Sequence, residues 1–119
     1  MTIITADDEP LALEMLTDLV KTVKPDADVF SFSRPQKIVE RIKTNKADVA
    51  FLDIRMRGMT GLELAEAIKA KDPETNIIFV TGYDEYALPA MSLHASGYVM
   101  KPVSEEKIRK DKNWIIIAT

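Results

Sequence analysis

Ala47 to Gly61 reads ADVAFLDIRMRGMTG, and how this stretch folds decides the rest of the chain. Four of the five residues from Val49 to Asp53 are apolar. A short apolar run without polar alternation predicts a strand covered on both faces, as in a parallel sheet. Asp53 closes the run. Arg55, Arg57, Gly58 and Gly61 follow, so the chain leaves the sheet as a loop and resumes regular structure near Leu62. Open α/β sheets hold their ligands at the carboxyl ends of their strands, which makes Asp53 the first candidate functional residue.

On the N-terminal side, Thr2 to Ala6 is a β-branched run that ends in Asp7, Asp8 and Glu9. Pro10 suits the first turn of a helix, and Ala12, Met15, Leu16, Leu19, Val20 and Val23 recur at helical spacing as its apolar stripe. Asp28 to Phe32 alternates like a strand with one exposed side. Arg34 to Asn45 predicts a polar helix with Ile38, Val39 and Ile42 facing inward. On the C-terminal side, Leu62 to Lys71 predicts an amphipathic helix with Leu64, Ala65 and Ile68 as its stripe. Asn76 to Thr81 predicts another fully buried strand. Glu85 to Ala95 can be helical with Pro89 in or near its first turn. Gly97 to Met100 predicts a last strand, and Ser104 caps a last, short helix. Five strands alternating with helices argue a single, doubly wound, five-stranded parallel sheet with helices on both faces.

With 119 residues, 46% of them hydrophobic, the chain has the size of one domain. A net charge of -3 argues against direct nucleic-acid binding, which usually shows a basic footprint. There is no cysteine, hence no disulfide frame and no thiolate chemistry. Neither a signal segment nor a membrane-length apolar run is present, and a soluble cytoplasmic protein is expected.

Right-handed crossovers would set the first and third strands side by side and bring Asp7 and Asp8 to face Asp53. Three clustered carboxylates repel one another unless a cation neutralises them. With only oxygen donors in the set, a hard ion such as Mg²⁺ fits best. Glu9 reads more simply as a helix cap. Thr81 ends the fourth strand and can donate a hydroxyl hydrogen bond, although alone it reads equally well as the β-branched end of a strand. Lys101, fixed in direction by Pro102, can pair with a carboxylate or a phosphoryl group.

These residues together resemble the receiver domain of bacterial two-component response regulators. The resemblance is carried by ADDEP, LDIRMRGMTGLEL, VTGYDEYA and GYVMKP, in that order, across Thr2 to about Lys107. The wording YDEYA followed by GYVMKP is most similar to the LytTR-type group. The resemblance implies a flavodoxin-like fold with strand order 2-1-3-4-5. It implies that Asp53 accepts a phosphoryl group from a phosphohistidine on a sensor histidine kinase. Asp8, Asp53 and the main-chain carbonyl of Arg55 would bind Mg²⁺, with Asp7 acting through a water. Lys101 would contact the phosphoryl group, Thr81 would be drawn to it, and Tyr98 would turn inward. Gly82 would keep the backbone close to the phosphoryl site.

Two departures stand out. Arg57 occupies a position where the family often has proline, and Lys107 to Asn113 has a single apolar residue, Ile108, before WIIIAT ends the chain. Residues 113 to 119 are expected as an atypical tail. Trp114 to Ile117 should pack on the domain or on a second copy, giving a dimer through the last-strand and last-helix face. LytTR-type regulators carry a DNA-binding domain after the receiver, so the chain is either a fragment or acts alone. An aspartate-nucleophile phosphatase is the rival reading, but it would need an acid where Arg55 stands. A flavin or nucleotide module would need a glycine-rich loop where DDEP stands.

Overall fold

The structure is a computed structural model and describes residues 1–110. The expected tail from residue 113 onward lies outside the described residues. The elements run β1 (Thr2–Ala6), α1 (Pro10–Val23), β2 (Asp28–Phe32), α2 (Pro35–Arg41), β3 (Val49–Leu52) and α3 (Gly61–Lys71). They continue as β4 (Asn76–Thr81), a 3₁₀ turn (Asp84–Tyr86), α4 (Ala87–Ser92), β5 (Gly97–Met100) and α5 (Glu105–Lys110). All strands are parallel, in the order β2-β1-β3-β4-β5.

Alternation along the central strands divides the core into two layers. Ile4, Ala50, Leu52, Ile77 and Phe79 point to one face, against Ile38 of α2, Leu64, Ala65 and Ile68 of α3, and Ala90 of α4. Ile3, Val49, Phe51, Ile78 and Val80 point to the other, against Leu16, Val20 and Val23 of α1 and Ile108 of α5. Both faces are covered, which is why these strands read as unbroken apolar runs. β2 is an edge strand with Asp28, Phe30 and Ser31 exposed, and this accounts for its polar alternation.

Helix ends are set by local chemistry. Glu9 caps α1 by accepting the N–H of Ala12, and Thr60 and Glu63 form a reciprocal capping box at α3. The amide of Lys107 donates to Ser104 Oγ, so Ser104 caps α5 as expected.

Three expectations need correction. The second helix stops at Arg41, not Asn45. From there Lys43 and Thr44 bond three residues back instead of four, and the side-chain amide of Asn45 donates to the Arg41 carbonyl. The fourth helix is preceded by the 3₁₀ turn, because Pro89, its third residue, offers no N–H to the carbonyls before it. It ends early, where His94 adopts a left-handed φ of 56° and the amides of His94 and Ala95 bond back to Met91 and Ala90. Met15, placed on the buried stripe of α1, is 55% exposed, whereas Thr17 is buried and shares a 2.8 Å hydroxyl hydrogen bond with Thr5.

Candidate functional site

Four strands end on one rim of the sheet, and each delivers a site residue there. Asp7 and Asp8 follow β1, Asp53 follows β3, Thr81 ends β4 and Lys101 follows β5. Register aligns them. Ala6 pairs with Leu52, and the amide of Asp53 donates to the Ala6 carbonyl at 2.9 Å; the amide of Lys101 donates to the Thr81 carbonyl at 2.8 Å.

Carboxylate oxygens of Asp7, Asp8 and Asp53 all lie within 4.8 Å of one another. Asp7 is nearly sealed from water, and Asp53 is 7% exposed. The ammonium of Lys101 bridges the two buried acids, 2.8 Å from Asp7 Oδ2 and 3.1 Å from Asp53 Oδ2. Asp7 Oδ1 accepts the amide of Glu9 at 3.0 Å. Burial pushes the Asp53 carboxyl above the usual range, and the neighbouring charge of Asp7 adds to it; Lys101 pulls only part of the way back. Burial by itself would lower Lys101, but its hydrogen bond to Asp7 and the charges of Asp53 and Asp7 outweigh that, so it is held firmly as an ammonium.

Thr81 is fully buried, and its Oγ1 accepts the amide of Tyr83 at 3.4 Å. The hydroxyl of Tyr98 donates to the Tyr83 carbonyl, while its ring lies tilted against Phe79 with centroids 6.5 Å apart. Gly82 has open space around it, with no heavy atom within 4 Å of where a Cβ would stand. Arg55, expected to contribute its main-chain carbonyl, turns its side chain across the rim. Its guanidinium stacks on Tyr83 at 4.0 Å, its Nε donates to the Tyr86 hydroxyl at 3.2 Å, and it pairs with Glu85 at 3.5 Å.

Three supporting residues escape a reading by sequence alone. Gly61 packs so close to the end of β3 that a Cβ there would stand 2.1 Å from the Asp53 carbonyl oxygen. Lys107 Nζ donates to the carbonyls of Met100 and Pro102, at 3.0 and 2.9 Å, and so pins the segment that carries Lys101. Arg57 bonds Asp8 through its main-chain N–H and pairs with it through its guanidinium. The second glycine of GMTG hints at close approach; nothing in the sequence announces the contacts of Lys107 and Arg57.

This strand-end arrangement of acids and lysine on a 2-1-3-4-5 sheet defines a class, the receiver module of signalling proteins. The family model for the response regulator receiver domain matches residues 3–112, and the chain belongs to that family. An uncharacterised response regulatory protein of Vibrio vulnificus is 41% identical over 113 residues, covering 92% of the chain and 45% of that protein. The sensory transduction protein LytT of Enterococcus faecalis is 36% identical over 108 residues, covering 91% and 45%. The chain thus spans less than half the length of these relatives. Among solved structures, the response regulatory domain of mrkE from Klebsiella pneumoniae has a TM-score of 0.88 at 30% identity, covering 99% of this chain and 97% of that one. The response regulator TrrA of Thermotoga maritima, in complex with Mg²⁺ and BeF, has a TM-score of 0.78 at 28% identity, covering 92% and 97%. Among the described residues, no helix is long and apolar enough to cross a membrane.

Proposed function

We propose that the chain, as one receiver domain, accepts a phosphoryl group on Asp53 from a phosphohistidine of a sensor histidine kinase and relays the change to an output. The observation that carries this reading is the convergence of Asp7, Asp8, Asp53 and Lys101 on one strand-end rim. The donor set fits Mg²⁺: it is all oxygen, without His or Cys, and the two buried acids, Asp7 and Asp53, share the single ammonium of Lys101. Asp7, Asp8, Asp53 and the Arg55 carbonyl would hold it. Bound there, Mg²⁺ neutralises charge on the phosphoryl oxygens and on the acids.

The chain's own residues account for the rest. An Asp53 carboxylate oxygen attacks phosphorus as the bond to the donor nitrogen breaks, and the freed imidazole takes a proton. Phosphoryl transfer asks little beyond such positioning and matched charge. Lys101 is held between Asp7 and Asp53, within reach of an oxygen of a group bound to Asp53. Thr81, on the neighbouring strand end, can exchange its bond from the Tyr83 amide for one to that group. Tyr98 is tied to the Tyr83 carbonyl, so a shift of residues 81–86 releases its ring; Thr81 and Tyr98 would then couple the site to the α4, β5 and α5 side. Leu88 and Met91 on α4 are 77% and 70% exposed, and they support self-association on that side.

On this reading the domain is a phosphoacceptor of the cytoplasm that catalyses only its own modification. It makes no direct contact with nucleic acid or membrane. In the longer relatives, transcription would be controlled by the part of the protein beyond the receiver. Incubation with a small phosphodonor and Mg²⁺ tests the assignment: intact-mass measurement should show a single added phosphoryl group, absent in Asp53→Asn and slowed in Asp8→Asn. Labelling of Asp53→Asn at the parent's rate would overturn it, as would rapid turnover of the donor without an adduct.

A further inference from the structure

We infer that Arg57 is a built-in counter-ion to Asp8, which competes with a divalent cation for the acidic cluster and raises the cation concentration the domain needs. This rests on the reading that Asp7, Asp8 and Asp53 hold such a cation. Arg57 reaches Asp8 in two ways. Its main-chain N–H donates to Asp8 Oδ2 at 2.9 Å, and its guanidinium Nε stands 3.5 Å from the same oxygen. Lys101 engages Asp7 and Asp53, so Arg57 leaves each of the three acids with a basic partner supplied by the chain itself.

The two contacts differ in what they do. The main-chain bond fixes the Asp8 carboxylate and depends on the backbone alone, so it survives a change of side chain to alanine or lysine. The guanidinium adds a full positive charge at the mouth of a site for cations. Its side chain is 93% exposed, and that of Asp8 is 22% exposed, so the pair is held loosely and can open. A cleft of ≈ 290 Å³ lined by Asp8, Ser33, Arg34, Gln36 and Arg57 gives the displaced side chain room, although Arg34 makes it a poor resting place for a second guanidinium. An incoming divalent ion therefore competes with this pair and sits beside a cation for which Asp8 is the ion-pair partner among the described residues. Proline at this position would supply neither the charge nor the main-chain N–H.

Calorimetric titration of Mg²⁺ into the full 119-residue chain tests the inference. The set comprises the parent, Arg57→Ala, Arg57→Lys, Asp8→Asn and Asp53→Asn. Each protein is titrated in about 50 mM and about 500 mM NaCl, which bracket weak and strong screening. Arg57→Ala should bind Mg²⁺ about three- to fivefold more tightly at low salt, the scale on which one exposed charge acts on its neighbour. The difference should shrink at high salt, and Arg57→Lys should stay close to the parent. Equal or weaker binding by Arg57→Ala overturns the inference while leaving the cation site standing, as does a difference that salt does not alter. Failure of both the parent and Arg57→Ala to bind, with Asp8→Asn and Asp53→Asn indistinguishable from them, overturns the cation reading itself and the competition with it.

Discussion

The guanidinium of Arg55 lies flat on the ring of Tyr83, 4.0 Å from its centroid, and so ties the loop after β3 to the segment after β4. The Tyr86 hydroxyl and Glu85 extend the attachment, and the Tyr83 and Tyr86 rings meet edge to face. From the β5 side, Tyr98 holds the Tyr83 carbonyl. Tyr83 is thus gripped from two directions by residues on either side of Asp53's rim. The segment that follows Thr81 is therefore held both from the loop after Asp53 and from β5.

Arg55→Ala should release one of the two grips. Hydrogen exchange at the amides of residues 83–86 should quicken, while the unfolding midpoint stays near the parent's, because the arginine is exposed and its contacts are local. Arg55→Lys should not restore protection, since an ammonium cannot stack on one ring while donating to the next hydroxyl. Unchanged exchange in Arg55→Ala would assign the order of this segment to its bonds with Tyr98 and Thr81.

The strands and the acid cluster were legible because their signals are local and strong. Val49 to Leu52 and Ile77 to Val80 are buried on both faces, and a carboxylate closing such a run has few structural reasons to be there. What escaped depends on distant partners or on backbone geometry. Met15 has the periodicity of a core residue, yet α1 turns it to the rim beside Pro102 and Val103. The short α4 follows from where Pro89 falls within the turn and from a left-handed His94, neither of which apolar spacing registers. The contacts made by the Arg55 side chain and by Arg57 went unread, because their partners stand 31 and 49 positions away.

His94 closes α4 in a conformation that suits glycine. With φ at 56°, its Cβ crowds the backbone, while its amide and that of Ala95 complete the helix end. His94→Gly should stabilise the domain by about 0.5–1 kcal/mol, the relief of a left-handed side chain less the added freedom of the unfolded chain. His94→Ala should give no such gain. Urea unfolding of the three proteins decides: a loss of stability in the glycine variant would mean that the imidazole makes a compensating contact.

Gly61 holds the end of β3 that carries Asp53 in place by what it lacks. A methyl there would meet the Asp53 carbonyl oxygen at 2.1 Å and the Ile54 Cα at 2.9 Å, and main-chain atoms cannot step aside as a side chain would. The Gly61 amide also donates to the Ile54 carbonyl at 2.7 Å, so the loop must close tightly here. Gly61→Ala should cost at least about 2–3 kcal/mol, the upper part of the overpacking range, and should slow phosphodonor labelling more than its loss of stability explains. The denaturant midpoint and the labelling rate of still-folded protein are the measurements. Retention of both would show that the loop has slack.

Asp53 should weaken the fold it serves, and pH exposes the sign. Burial, then the charge of Asp7, raises its folded-state pKa above the ordinary 3.8, in spite of Lys101. Between 3.8 and that raised value the folded protein holds a proton that the unfolded chain has lost, so stability falls as pH rises through the window and stays lower beyond it. The favourable contribution of the neutral carboxyl is fully present only below the unfolded value. Asp53→Asn keeps the shape and removes the charge. At neutral pH without divalent cation it should melt a few degrees above the parent, and the gap should close as pH is lowered past about 3.8. Excess Mg²⁺ should narrow the gap from the other side, by stabilising the parent, which keeps the ionised ligand, more than the variant. Melting curves from pH 3 to 8, with and without Mg²⁺, test each arm. A variant less stable than the parent at neutral pH in chelator would mean that the Lys101 pair outweighs the cost of burying Asp53.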